Sequence, residues 1–403
     1  MIRKRTAVIG AIAIIIVTSM ITFTFGNINA LRAGDKVIIS SRMFEQMQEE
    51  SDGLNKLIYL KEFLLQEYYI ELDENDLMDG ALKGMFEAVG DPYTTYLDAK
   101  DYSEMMISTQ GTYGGIGIIV TADDEGYVSV ISPIEGTPGE RAGLATGDRI
   151  LQVDQQSVTG NRLDDAVALM RGEPDTEVII EIIKKNQRDS LEISITREII
   201  KIQSVRSEML EDGIGYLRIS SFDEQTGRDF KRHMDDLMAQ GTEKLVLDLR
   251  NNPGGLLNQA NYIADLLLDE GIIVYTENRH GYRREEKSDK SMYNVELVVL
   301  INEGSASASE ILAGAIQDHQ RGLILGTTSF GKGLVQELQR MPDGTGFKYT
   351  VSQYFTPEGR NIHDVGIEPD IVVELPDEEI ESTEVHEDEH DIQLQKAVEI
   401  LKQ

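Results

Sequence analysis

The 403-residue sequence contains no cysteine. That excludes disulfides, thiolate metal sites and a cysteine nucleophile. Positive charge is short as well: 38 Lys and Arg stand against 71 Asp and Glu, a net charge of −33. Basic residues form only short local clusters. Nucleic acid is therefore not an expected partner, because phosphates need Lys and Arg opposite them. Long uncharged runs are scarce. The one that stands out, residues 7–25, reads AVIGAIAIIIVTSMITFTF behind Arg3, Lys4 and Arg5. It is long enough to cross a bilayer as a helix, and the basic flank (residues 1–6) would stay cytoplasmic, with the rest of the chain outside. The run exceeds a usual signal-peptide core, and Ala30 after Asn-Ile-Asn is a poor cleavage site. A retained anchor over 7–26 is thus favoured over secretion after signal cleavage.

What is present reads as a multidomain globular chain. Its length exceeds what one hydrophobic core usually organises. Residues 27–105 carry apolar side chains at helical spacing until Gly90-Asp91-Pro92 stops the pattern. Residues 106–197 switch to short β-rich runs (IGIIV, YVSVI, RILQVD, EVIIEII, LEISITR) around one helical stretch, RLDDAVALMRG. Residues 198–375 alternate strand and helix patterns, and KLVLDLR is the continuous apolar run of a buried parallel strand. Residues 376–403 hold an acidic linker and a short amphipathic helix, DIQLQKAVEILKQ. His386 and His390 stand at i, i+4 in that linker and are read as part of a solvated acidic run, so no metal or other cofactor is expected.

EGSASASE, residues 303–310, follows the strand pattern ELVVLIN and opens a helix. A serine there sits beside unpaired backbone N–H groups suited to a developing oxyanion. Ser307-x-x-Glu310 equally matches a helix capping box, so this stretch alone does not select chemistry. LGTTSFGKGLVQ, residues 325–336, adds Lys332 between two glycines. Gln336, four residues on, would share its face in an extended strand and orient its amine. A lysine serves as a base only when burial leaves some of it neutral. LVLDLRNNPGGLL, residues 245–257, ends a strand in glycines whose amides can complete an oxyanion hole. His319 lies a helix length beyond Ser307 and is expected to take no part.

Two resemblances sharpen this reading. Tyr113-Gly114-Gly115-Ile116-Gly117-Ile118 with SPIEGTPGERAGLATGDRILQVDQQSV, residues 132–158, closely resembles a PDZ domain. Such a module captures a peptide's free carboxylate on a glycine loop and adds the peptide to a sheet edge. LRNNPGG, EGSASASEILAGAIQDH, GTTSFGKGLVQ and YFTPEGRNIHDVGIEPDI follow it in that order, and GDPYTTYL (residues 90–97) precedes it. Together they resemble the carboxyl-terminal processing, or tail-specific, proteases over nearly the whole chain after the apolar run.

The resemblance implies a crotonase-like α/β protease core with a PDZ domain, and with the helical N-terminal region and the transmembrane helix read above the expected fold is mixed α/β. It implies Ser307 as nucleophile, Lys332 as general base and Gln336 as its support. The oxyanion hole would join Ala308 with Gly254 or Gly255, a choice left open here. Arg171, at the end of the helical stretch in the PDZ segment, becomes a candidate for gating. Expected partners are protein or peptide substrates with a free C-terminus, a membrane and a second copy of the chain, through the helical region and the C-terminal segment. A PDZ scaffold with an inactive core is disfavoured by the presence of both Ser307 and Lys332. A crotonase-type acyl-CoA enzyme leaves the PDZ segment unexplained.

Overall fold

A computed structural model describes residues 14–20, 30–33, 36–39, 41–374 and 391–403. The chain forms two compact units, Met1–Ala88 and Val89–Gln403. In the first, a hairpin of Ala30–Ala33 with Lys36–Ile39 precedes the helices Ser41–Glu67 and Glu74–Glu87. Asp73 caps the second helix by accepting the Asn75 N–H at 2.7 Å, and Lys61 pairs with Glu74 to link the two helices. Leu54, Ile58, Tyr59 and Phe63 of the long helix remain exposed. Among the described residues no helix is long and apolar enough to cross a membrane. Residues 14–20 are helical, and the rest of the 7–25 run expected to span a bilayer lies outside the described residues. So do His386 and His390.

The second unit is built on a six-stranded sheet in the order 205–209, 214–219, 244–248, 296–301, 323–326, 371–372. The first pair is antiparallel and the others are parallel. Alternate side chains along these strands serve two cores. Leu217, Leu245, Leu247 and Val299 pack under the helices Thr226–Ala239, Leu257–Leu267 and Ala308–Asp318. Tyr216, Val246, Val298 and Leu300 pack under the C-terminal helix Ile392–Leu401. Both faces are thereby covered, as a parallel sheet requires. The C-terminal helix spends Leu394, Ala397 and Leu401 on this core, so that apolar face is not offered to a second copy.

An antiparallel sheet, 283–288, 271–278, 346–355, 334–340, lies beside the first. Thr95–Leu97 joins it by pairing with residues 346–348. Residues 89–105 therefore belong to this unit rather than to the helical region with which their sequence was grouped. The β-rich segment forms its own antiparallel sheet, 190–196, 177–183, 149–153, 128–133, 118–122. Its core takes alternate residues such as Val178, Ile180 and Ile182, with Ala166 and Met170 from the helix Leu163–Met170.

Candidate active site

Three loops at the carboxyl ends of the parallel strands meet in a cleft of about 1230 Å³, lined by Ser307, Ala308, Gly254, Gly255, Lys332 and Gln336 among others. This is where ligands bind in open α/β sheets. The strand Glu296–Ile301 turns through residues 302–307 into the helix Ala308–Asp318. Ser307 is the turning point, with φ 55° and ψ −112°. Such backbone costs a non-glycine residue on the order of 1–3 kcal/mol and persists only where the surroundings impose it. Those surroundings are its two neighbouring serines. Ser305 donates to the Leu249 carbonyl at 2.8 Å and accepts the Asn302 N–H at 3.0 Å. Ser309 donates to the Asn252 carbonyl at 3.0 Å. Both are fully buried, whereas Ser307 is only partly so.

The 249–255 loop is locked to the same turn. Asn251 and Asn302 exchange hydrogen bonds at 2.8 Å, and Ala306 donates to the Asn252 carbonyl at 3.0 Å. A Cβ on Gly254 would lie 2.7 Å from the Ala306 carbonyl oxygen and 2.8 Å from the Ser307 Cβ, so only glycine allows this approach. The two loop glycines differ in one respect. Gly254 donates its N–H to Asn252 Oδ1 at 2.9 Å. Among the described residues no hydrogen bond engages the N–H of Gly255 or of Ala308, the first residue of the helix.

Lys332 is partly buried. Burial, and then the nearby Lys348 ammonium, hold its amine below the ordinary lysine range, while Glu310 and Asp91 pull it upward. Its Nζ lies 4.7 Å from the centre of the Tyr93 ring. That cation–π contact is worth roughly 0.5–2 kcal/mol and favours the charged amine. Among the described residues no hydrogen bond joins Lys332 to Ser307 or its amine to Gln336. Lys332 precedes the strand Leu334–Arg340, whose pairing shifts register between Val335 and Gln336. The shared-face argument for positions 332 and 336 therefore does not apply. Gln336 instead donates to Thr350 Oγ1 at 3.4 Å, and Thr350 donates to Asp91 Oδ2 at 2.6 Å.

The PDZ-type segment divides its six quoted residues. Tyr113, Gly114 and Gly115 lie in the strand Thr112–Gly115, paired with Glu198–Lys201. A Cβ on Gly114 would sit 2.1 Å from the Gly172 carbonyl oxygen, so this glycine admits a crossing chain rather than an open loop. Ile116 and Gly117 form the turn, Gly117 at φ +73°, and Ile118 starts the strand at the end of the sheet. Arg171 stacks over Tyr113, its guanidinium 4.9 Å from the ring centre. His319 points elsewhere, its Nε2 2.7 Å from the Ile272 carbonyl.

Family descriptions match the chain in three places: "Peptidase family S41" over residues 213–373, "PDZ domain" over 129–184 and "Activating protease CtpB N-terminal domain" over 15–101. The carboxy-terminal processing protease CtpA of Bacillus subtilis is 36% identical over 346 residues, spanning 85% of this chain and 73% of that protein. The carboxy-terminal-processing protease of Bartonella bacilliformis is 42% identical over 311 residues, spanning 75% and 71%. The chain belongs to the carboxy-terminal processing proteases. It is a serine-type peptidase of family S41 that carries a PDZ domain. A solved structure of a putative S41 protease from Bacteroides fragilis shares the fold, with a TM-score of 0.50 at 16% identity over 85% of this chain and 97% of that one.

Three residues of this processing protease escaped the sequence reading. Tyr93 sat in a motif with no visible chemistry, yet its ring meets Lys332. Glu310 read as a helix cap, and it does accept the Ser307 N–H at 2.7 Å. It also accepts from the lysine loop, 22 positions away, which no local pattern announces. Tyr354 gave no signal beyond a strand position, yet its hydroxyl meets the Ser307 and Lys332 carbonyls.

Proposed function

We propose that the enzyme cleaves peptide bonds of substrates recognised by their C-termini, with Ser307 as nucleophile and Lys332 as general base. The observation that carries this is the strained Ser307 turn, next to two unengaged amides and in one cleft with a lysine whose pKa is held down. Lys332, neutral, accepts the Ser307 hydroxyl proton as Oγ attacks the substrate carbonyl. The oxyanion is held by the N–H of Ala308 and that of Gly255, because Gly254 already donates to Asn252. The protonated lysine gives its proton to the leaving amine, whose departure leaves an acyl-enzyme on Ser307. Water, activated by the same lysine, then releases the acid product.

The amine lies over the Tyr93 ring and makes no hydrogen bond to Ser307 among the described residues, so in the proposed cycle it exchanges that ring for the Ser307 hydroxyl. The PDZ domain supplies a reason for that exchange: a tail bound along Ile118–Ala122 delivers substrate, with Arg171 on Tyr113 as a candidate transmitter to the strands leading to the core. Gln336 supports Lys332 in the active arrangement by exchanging Thr350 for the amine. The basic flank and apolar run anchor the protease with its catalytic domain outside the cytoplasm. The exposed Leu54, Ile58, Tyr59 and Phe63 are the surface for homodimer formation.

Ser307→Ala and Lys332→Ala should each abolish peptide hydrolysis while leaving the melting curve unchanged. Full turnover in either variant would remove the dyad. Ser307→Ala protein, used as a trap, should retain chains identifiable by mass spectrometry through a common C-terminal pattern.

A further inference from the structure

We propose that Glu310 and Tyr354 together brace the nucleophile against the base, holding both polar ends of the two residues' backbone at a fixed separation. The proposal rests on the Ser307–Lys332 reading above. Glu310 is fully buried. Its Oε2 accepts the N–H of Ser307 at 2.7 Å and of Lys332 at 2.9 Å. Its Oε1 accepts the Gly331 N–H at 2.7 Å and the Ser329 hydroxyl at 2.6 Å. A carboxylate has about four acceptor positions, and all are met by donors. An amide in its place would turn a hydrogen toward another donor.

Tyr354 serves the opposite ends. It is also buried, and its hydroxyl lies 3.1 Å from the Ser307 carbonyl oxygen and in contact with that of Lys332. Its single proton faces the two carbonyls and the Glu310 carboxylate beside them. The amides of both residues thus converge on one carboxylate, and their carbonyls converge on one phenol. Glu310 and Tyr354 are positioning residues in this scheme, because they act through the backbone of Ser307 and Lys332.

The carboxylate works against one requirement of the base. Lys332 faces Glu310, Asp91 in the 91–94 turn, the Tyr93 ring, and Lys348 on the strand Gly346–Phe355. Burial and Lys348 favour the neutral amine, while Glu310 and Asp91 favour the charged one. A group kept in spite of that electrostatic cost has a geometric task. Removing its charge should therefore have two separable effects: poorer placement of the base, and a lower pKa for Lys332.

The test measures kcat and KM on a peptide substrate across pH for the full chain and for Glu310→Gln, Tyr354→Phe and Lys332→Ala, with thermal melts of each. Glu310→Gln should lower kcat about a hundredfold, the cost of a misplaced reacting group. KM should hold, and the acid limb of kcat/KM should move to lower pH. Tyr354→Phe should lower kcat about tenfold, near the value of one hydrogen bond, without moving the limb. Wild-type kcat in either variant overturns the brace, and so does a Glu310→Gln limb that stays in place. If Glu310→Gln does not fold, Tyr354→Phe decides alone, a lowered kcat supporting the brace and a wild-type kcat ending it. Activity retained in Lys332→Ala would instead sink the dyad beneath the proposal, whereas an inactive Lys332→Ala beside a wild-type Tyr354→Phe sinks the brace alone.

Discussion

As the proposed base, Lys332 makes the strongest demand on its neighbours, since it would have to be neutral when substrate arrives. Burial, then Lys348, lower its pKa, and on that proposal activity should appear as pH rises through the lowered value. Lys348→Met removes the neighbouring cation. The Lys332 pKa should then rise, the acid limb of kcat/KM should move to higher pH, and the rate at neutral pH should fall. Lys348→Arg, which keeps the charge, should leave the limb in place. A limb unmoved by Lys348→Met would show that the second lysine does not act on the base. Ser307 and Lys332 were singled out because each lies in a short motif of small residues around one reactive group, and both line the cleft. The contacts around them were not, because Tyr93, Glu310 and the strand carrying both Lys348 and Tyr354 are three separate stretches that only the fold brings together.

Among the elements, the C-terminal helix has the longest reach. Its N-cap, Asp391, accepts the Leu394 N–H at 3.0 Å and pairs with Arg250 at 2.8 Å. Arg250 also pairs at 2.7 Å with Asp248, which is fully buried and accepts the Tyr216 hydroxyl at 2.7 Å. Burial pushes the Asp248 carboxyl up, but the charge of Arg250 and the hydrogen bonds from Arg250 and Tyr216 outweigh it and leave the carboxyl below its usual range. A depressed carboxyl stabilises the fold above its unfolded value, roughly pH 3.9, and loses that contribution as pH falls toward the folded value. Asp248→Asn should thus cost roughly 3 kcal/mol in urea unfolding at neutral pH. The difference from wild type should shrink below about pH 4, and one that persists undiminished there would rule out the linkage. Periodicity revealed most of the elements around this network. EVIIEII alternates and is buried on alternate residues, and KLVLD runs apolar and is buried throughout except at its first residue. The strand Arg283–Ser288, RREEKS, could not be read that way. It has no apolar side chain, and only the open edge of Gly271–Asn278 makes it a strand.

For the whole molecule, the PDZ-type sheet, five strands with a short sixth, is separate from the parallel and antiparallel sheets that carry the cleft, and all lie in one unit. If a substrate's tail carboxylate is read before the bond is cut, amidating the C-terminus should lower kcat/KM on a tail-bearing peptide, while shortening its other end should matter little. Equal rates on free-acid and amidated peptides would argue against carboxylate recognition. The order of these modules along the chain was legible, because each has its own hydrophobic period. How the PDZ segment joins the core was not. Strand Thr112–Gly115 leads into it and strand Glu198–Lys201 leads out, and the two pair antiparallel, Thr112 opposite Lys201 and Gly115 opposite Glu198. This head therefore begins and ends at one place, like a bulb in a socket. A different head could be exchanged there by design with the rest of the unit left intact, so that substrate choice, if it resides in the head as proposed, could be rewritten without touching the cleft.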